Sequence, residues 1–198
     1  MFLGYEGDVK NIKIFTKKNN IETPLRFTKS TEKKSDTLQV FIPNDAKDSL
    51  NVIVKSNNYS KEYSVKLKKL KEVDTLKISL FANKKYKFYE NLYLKTTTPI
   101  KKINSEKIFL RKKDSTLVPF TTKINDFEQL ISFDFKQDEN EKYSITLLPG
   151  AIEDDYNTKN DSLKFDFIKD AISDFGNLKL RMKNVKKFPF VLQIVNSG

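Results

Sequence analysis

The chain has 198 residues and a formal net charge of +11, from 37 lysines and arginines against 26 aspartates and glutamates. It contains no cysteine and no histidine, so disulfides, thiolate metal sites, cysteine nucleophiles and histidine general bases are excluded. No stretch approaches the roughly 18 apolar residues of a membrane-spanning helix. We expect no transmembrane segment, no cofactor and no enzymatic activity.

Residues 1–73 predict a small β-sandwich domain. Apolar side chains alternate with polar ones over short segments, which is the period of a strand with one buried face. The predicted strands are 9–15, 24–28, 38–42, 50–54 and 63–67. Turn-forming residues separate them about every 8 to 12 residues, a spacing that is typical of a sandwich.

Residues 74–170 predict a second β-sandwich domain that is built in the same way. Its strands are predicted at 76–80, 92–95, 108–111, 117–124, 130–135, 143–147 and 163–168. The nearest approach to a helical period is the brief segment 168–172. We therefore expect an all-β protein of tandem β-sandwiches with almost no helix.

Residues 171–198 predict a β-hairpin. Two short runs alternate in polarity on either side of a lysine turn at 186–187. The apolar positions of the two runs are Leu178, Leu180, Met182, Phe190, Leu192 and Ile194. An isolated hairpin is only marginally stable in water, so this one either packs on the second domain or begins a third sandwich domain.

Two segments of the second domain resemble bacterial Ig-like domains of the S-layer-protein type. Residues 93–110 (YLKTTTPIKKINSEKIFL) are similar to the opening strands, and residues 143–161 to the closing portion with its Pro-Gly and Asn-Asp turns. Asn157 stands where the family pattern has glycine, and asparagine is the next most tolerant residue of a left-handed turn. The tail from Asp174 is similar to the start of the carboxypeptidase-regulatory-like sandwich that follows such domains in large surface lipoproteins of Bacteroidota.

The resemblance implies tandem Ig-like β-sandwiches, with residues 74–170 as an Ig-like β-sandwich domain. It also implies a non-catalytic structural and interaction module of a cell-envelope protein, at the outer-membrane surface or in the periplasm. The chain begins without a signal peptide, which leaves two alternatives, a cytoplasmic protein or a piece of a longer one. The resemblance implies the second, a fragment of an envelope protein that is exported beyond the inner membrane. Its task would be that of a spacer and docking surface in a larger assembly, with other envelope proteins as partners. Lysine-rich edge strands disfavour self-pairing and predict a monomer.

Lysines and aromatic residues interleave in the segment 83–93, which is the candidate ligand-binding surface. The candidate residues are Lys84, Lys85, Tyr86, Lys87, Phe88 and Tyr89. Exposed rings among lysines can stack on sugars or bases, so a glycan-binding or nucleic-acid-binding module is the alternative function. Only three of the 37 basic residues are arginines, which disfavours nucleic acid because arginine supplies the bidentate contacts. The structural alternative places Tyr86, Phe88 and Tyr93 over the sandwich core or a domain junction.

An acidic, asparagine-rich loop follows the predicted strand at 143–147. Its hard oxygen donors are Asp154, Asp155, Asn157, Asn160 and Asp161. Calcium accepts such ligands, but the spacing of an EF-hand is missing, and a carboxylate pair would have no histidine or cysteine partner for catalysis. We predict a compact turn in which these side chains bond to nearby backbone N–H groups. Calcium is the alternative, at Asp154, Asp155, Asn157 and Asp161.

Overall fold

The structure, a computed structural model, describes residues 1–6, 9–30, 36–46, 48–57, 59–68, 75–81, 85–87, 90–176, 178–183, 191 and 193. Within these ranges the chain forms seventeen β-strands and three single-turn 3-10 helices, which confirms the all-β prediction. The strands of residues 1–66 and those of residues 78–169 belong to different sheets. We call these two parts the N-terminal unit and the C-terminal unit.

The N-terminal unit contains two antiparallel sheets. Its strands are β1 (Phe2–Gly4), β2 (Lys13–Lys18), β3 (Ile21–Pro24), β4 (Phe27–Lys29), β5 (Thr37–Val40), β6 (Ser49–Ser56) and β7 (Tyr59–Lys66). One sheet has the order β1-β5-β4 and the other the order β3-β2-β6-β7. The longest pairing joins β6 to β7 over eight residue pairs, so this hairpin is the most extensively paired part of the larger sheet.

The C-terminal unit contains two four-stranded sheets and a two-stranded ribbon. Its strands are β8 (Ile78–Leu80), β9 (Lys85–Tyr86), β10 (Leu92–Thr96), β11 (Ile100–Ile103), β12 (Ile108–Lys112), β13 (Thr121–Asn125), β14 (Leu130–Asp134), β15 (Lys142–Leu147), β16 (Ile152–Asp154) and β17 (Leu163–Lys169). The sheets have the orders β13-β14-β10-β8 and β12-β15-β17-β9, and β11 pairs with β16. Among the described residues of this unit, the strands pair antiparallel except for the short pairing between β17 and β9.

Strand β15 shows how the alternation of the sequence becomes structure. Tyr143, Ile145 and Leu147 are buried, whereas Ser144 and Thr146 lie on the opposite face of the sheet. The strand pairs with β12 on one side and β17 on the other in continuous register. A slip of one residue would turn all three apolar side chains to solvent, so the register is fixed by burial.

Each unit has its own hydrophobic cluster. The buried members in the C-terminal unit come from both four-stranded sheets, for example Leu94 and Phe133 from one and Ile145 and Phe167 from the other. The N-terminal cluster is likewise built from both of its sheets, for example Leu38 from one and Ile14 from the other. Both units are therefore sandwich-like, with apolar faces packed against each other.

Some predicted strand bounds are wrong, for local reasons. The strand predicted at 117–124 begins only at Thr121, since Leu117 makes a single bridge and Pro119 has no N–H to donate. The strand predicted at 9–15 begins at Lys13, because Val9–Asn11 form a 3-10 turn. The sequence does not predict β1, β9, β11 and β16, since two to four residues are too few to show a period.

The predicted hairpin at 171–198 is not formed where the structure describes it. Ile172–Asp174 form a 3-10 turn, and residues 178–183 form no strand. Phe190, Leu192 and Ile194 lie outside the described residues, as do residues 69–74 around the predicted domain boundary. Within the described ranges the longest helix is one turn of three residues, far below the length that a bilayer span requires.

Candidate functional site

The two units meet through Phe127, which belongs to the turn between β13 and β14. Its ring packs against the hydrophobic cluster of the N-terminal unit and meets Phe27 edge to face, with ring centres 6.3 Å apart. Its carbonyl accepts hydrogen bonds from the Thr28 hydroxyl and from the Lys29 N–H, the latter at 3.3 Å. One residue of the C-terminal unit is thus held by both its side chain and its backbone.

The turn that carries Phe127 is stiffened by its own side chains. The side-chain oxygen of Asn125 accepts the N–H of Glu128 at 3.2 Å, and the side-chain amide of Asn125 donates to the Glu128 carboxylate at 2.9 Å. Gln129 has a positive φ of 57°, and its amide donates to the Asp126 carbonyl at 2.8 Å. These bonds place an apolar ring at the tip of a polar turn, which is costly in water unless another surface covers it.

Arg26 makes the second contact between the units. Its guanidinium donates to the carbonyl of Ile100 at 2.8 Å and lies 3.3 Å from the carboxylate of Asp126 and 3.2 Å from that of Asp155. These acceptors come from three separate segments of the C-terminal unit. Only the planar, multiply donating guanidinium can reach all three at once, so we call Arg26 and Phe127 together the junction.

The acidic loop that follows β15 carries Asp155, one of the groups that contact Arg26 in the junction. Asp154 is fully buried: one carboxylate oxygen accepts the N–H groups of Tyr156 at 3.0 Å and Thr158 at 2.8 Å, and the other accepts the Thr98 hydroxyl at 2.8 Å. Asn157 takes a positive φ of 62° in the turn that follows. The predicted turn with a side chain bonded to nearby backbone N–H groups is confirmed for Asp154, and the same turn carries Asp155, which pairs with Arg26.

Asn160 closes the same loop. Its side-chain oxygen accepts the Ile152 N–H at 2.7 Å, and its amide donates to the carbonyls of Leu148 and Asp161 at 3.0 and 2.7 Å. Asn157 accepts a hydrogen bond from the Lys101 ammonium at 2.7 Å. The side chains of Asn157 and Asn160 are therefore hydrogen-bonded within the C-terminal unit itself.

The calcium alternative finds no support in this geometry. The carboxylate of Asp154 faces inward to protein donors, that of Asp155 faces Arg26, and Asp161 is exposed. Asn157 contacts a lysine instead of facing a shared centre. In the part of the chain that the structure describes, no three or more acidic side chains converge on a point where a metal ion could sit.

The surroundings of Asp155 in the junction shift the pKa of its carboxyl. Burial raises the pKa of its carboxyl above the ordinary value, and the Arg26 guanidinium offsets only part of this effect. The neighbouring carboxylates of Asp126 and Asp154 raise the pKa further. The Arg26 guanidinium thus pairs with two carboxylates, those of Asp126 and Asp155.

The predicted surface at 84–89 is wrong for Tyr86. This ring is 2% exposed and packs edge to face on Phe167, with centres 5.6 Å apart, because β9 pairs with β17 and turns the side chain inward. Lys87 is exposed. Lys85 pairs through its backbone in β9, and Lys84, Phe88 and Tyr89 lie outside the described residues. For Tyr86 the alternative, a place in the core, is confirmed.

A cleft of about 430 Å³ lies beside the junction and is shared by the two units. Its walls include Phe41 and Pro43 from the N-terminal unit and Tyr156 from the C-terminal unit, and Arg26 and Asp155 close one side. Apolar walls beside a charged pair are the usual composition of a binding pocket. The cleft exists only while the two units stay together.

Two comparisons with known proteins were made, and neither identifies a relative. A scan against protein-family models finds no family that matches the chain, and a search of curated proteins finds no matching sequence. The fold and the junction define the class: an all-β protein whose two sandwich-like units are joined by direct side-chain contacts.

Proposed function

We propose that this chain is a non-catalytic structural and interaction module of a cell-envelope protein, in which two tandem Ig-like β-sandwiches act as a spacer and docking surface. The observation that carries the proposal is the junction. Domains joined by a linker move relative to one another unless a specific interface holds them, and a spacer needs a fixed geometry. Arg26 and Phe127 provide such an interface.

The envelope assignment is supported by the sequence resemblance at 93–110 and 143–161 to Ig-like domains of surface lipoproteins. The sandwich-like packing of both units agrees with such domains. The partners that fit this role are other envelope proteins, and the cleft beside Phe41 and Tyr156 is the docking surface that a fixed junction creates. A protein segment that fills it would contact both units and would bind best when their orientation is fixed in advance.

Small-angle X-ray scattering tests the spacer role. We expect the wild-type profile to fit a single arrangement of the two units, and the double variant Arg26→Gln, Phe127→Ala to require a range of arrangements. The matched control is Lys136→Gln, Leu117→Ala, which changes two exposed residues of the C-terminal unit that make none of the contacts described for the junction. A wild-type profile that already requires many arrangements of the two units would contradict the spacer proposal.

Affinity capture from solubilised native envelopes tests the docking role. We expect the wild-type chain and the control variant to retain the same envelope proteins, identified by mass spectrometry, and the junction variant to retain less of them. Retention that is equal for all three would show that binding does not depend on the junction.

A further inference from the structure

A trough crosses the outer face of the sheet formed by β12, β15 and β17. On that face Arg111 lies opposite Ser144, and Ser144 opposite Asp166; one step along, Thr146 lies opposite Lys164. Small hydroxyl side chains thus occupy the central strand, and long side chains occupy the strands on both sides. The depression between them has a volume of about 390 Å³, which is in the range of ligand sites.

The trough is lined mainly by cations. Its charged residues are Arg111, Lys112, Lys113, Lys142, Lys164 and Asp166. Asp138 pairs with Lys112, whereas the Lys164–Asp166 pair is 4.0 Å long and exposed, so it contributes little. The positive charge that remains sits on both walls and at one end of the trough, an arrangement that attracts a ligand with several negative groups.

The floor offers an unused hydrogen-bonding group. The Ser144 hydroxyl oxygen is shielded from solvent and has no hydrogen-bond partner in the described part of the protein. A buried hydroxyl is costly unless it is paired. Thr146, two residues along the same strand, lines the same floor. Both hydroxyls can donate to and accept from a polyhydroxylated ligand.

We propose that this trough binds an anionic saccharide. Its carboxylate or sulfate groups would contact Arg111, Lys142 and Lys164, and its hydroxyls would bond to Ser144 and Thr146. The proposal concerns a site apart from the junction and does not depend on the spacer role. It also differs in place from the surface predicted at 84–89.

The geometry disfavours two other polyanions. Single-stranded nucleic acid needs rings on which bases can stack, yet the lining tyrosine, Tyr143, is 2% exposed and the Phe109 ring is covered by the Arg111 guanidinium at 5.7 Å. An acidic peptide that adds as a strand needs a free edge. Strand β15 is paired on both sides. The edge strand β12 is covered in part by the segment that follows it, through a bridge from Arg111 to Leu117 and a hydrogen bond from the Val118 N–H to the Leu110 carbonyl.

The direct test is calorimetry with a sulfated dextran oligosaccharide and an oligogalacturonate, against neutral dextran and a single-stranded oligonucleotide of the same charge. The titrations are made at a low ionic strength of about 50 mM, where screening is weak. We expect the wild-type chain to bind at least one anionic saccharide more tightly than the oligonucleotide and not to bind neutral dextran. Equal or tighter oligonucleotide binding, or no binding of either saccharide, would overturn the proposal.

Charge reversal locates the site. In the variant Lys142→Glu, Lys164→Glu we expect affinity for the saccharide to fall by about tenfold or more, which is about 1.4 kcal/mol. The matched control Lys102→Glu, Lys123→Glu makes the same change of net charge at exposed lysines of other strands, and we expect a much smaller loss. An equal loss in both variants would mean diffuse attraction, and the trough would not be a site.

Ser144→Ala separates floor contacts from charge. Removing the unpartnered hydroxyl relieves a cost in the free protein, so we expect unchanged or slightly higher thermal stability together with weaker saccharide binding. Unchanged binding would contradict the role of the floor. Circular dichroism of each variant checks that the fold is retained.

Discussion

The hydrophobic cores of the two units differ in size and in the residues that complete them. Among the described residues, the cluster of the C-terminal unit has sixteen buried members, and the rings of Tyr86, Phe135, Tyr143 and Phe167 contact one another within it. The cluster of the N-terminal unit has six buried members, none of them aromatic, and the ring of Phe127 packs against it from the other unit. The smaller core is completed by its neighbour.

The difference follows from size. A short chain buries a smaller fraction of its surface than a long one, so small domains need additional support. The N-terminal unit has no disulfide, because the chain has no cysteine. The junction therefore serves the fold of this unit as well as its orientation, and the stabilities of the two units should respond differently to mutation.

The largest loss of stability is expected for Phe167→Ala in the C-terminal unit. Phe167 is 3% exposed and contacts three other rings, so its removal leaves a cavity that costs about 3–5 kcal/mol. Urea denaturation followed by circular dichroism measures the loss. The control Phe81→Ala removes a ring that is 52% exposed, and we expect a much smaller effect. Equal losses would mean that the aromatic cluster does not hold this unit together.

A smaller loss is expected for Asp154→Ala. The change leaves two backbone N–H groups and the Thr98 hydroxyl without their acceptor, at a cost of about 2–3 kcal/mol. Asp161→Ala, in the same loop but exposed, is the control. The same denaturation experiment applies, and a loss no greater than that of the control would show that the loop holds its shape without Asp154.

Phe127→Ala should destabilise the N-terminal unit, although the residue belongs to the other one. We expect a loss of about 1–2 kcal/mol from the buried ring area and the contact with Phe27. Amide hydrogen exchange measured separately for β6 and β15 distinguishes the units. Faster exchange in β6 with β15 little changed supports the asymmetry, whereas the reverse pattern would contradict it. Ile124→Ala, on the adjacent strand and 41% exposed, is the control.

The smallest effect expected is a pH dependence that comes from Asp155. Burial raises its pKa in the folded protein above the unfolded value, so the folded state binds the proton more tightly. The contribution of this group to stability is therefore greatest at low pH and declines as the pH rises from near the unfolded pKa through the raised one. Subtracting the stability curve of Asp155→Asn from that of the wild type isolates this decline. A difference curve that rises with pH would mean that the pairing with Arg26 outweighs burial.

Local alternation was enough to predict the long strands of the C-terminal unit, since β15 and β17 keep a period of two over six or seven residues. The inward turn of Tyr86 was not predictable in this way. Its strand has two residues, and lysines on both sides make the segment resemble a solvated surface. Pairing with β17, which is distant in sequence, decides its burial.

The junction could not be predicted from local pattern either, because its partners are far apart in the chain. Arg26 and Asp126 are 100 residues apart, and Thr28 and Phe127 are 99 apart. Two signals were nevertheless present. Arg26 is one of three arginines in a lysine-rich chain, and Phe127 is an apolar residue inside the polar turn Asn-Asp-Phe-Glu. Such exceptions mark positions where a distant contact is needed.

Residual dipolar couplings of backbone N–H groups test the fixed junction most directly. Couplings from β2 and β6 in the N-terminal unit and from β14 and β15 in the C-terminal unit are measured in one aligned sample of the wild-type chain. If Arg26 and Phe127 lock the units together, a single alignment tensor fits all four strands. Two tensors of clearly different magnitude would mean that the units reorient independently, which would contradict the account.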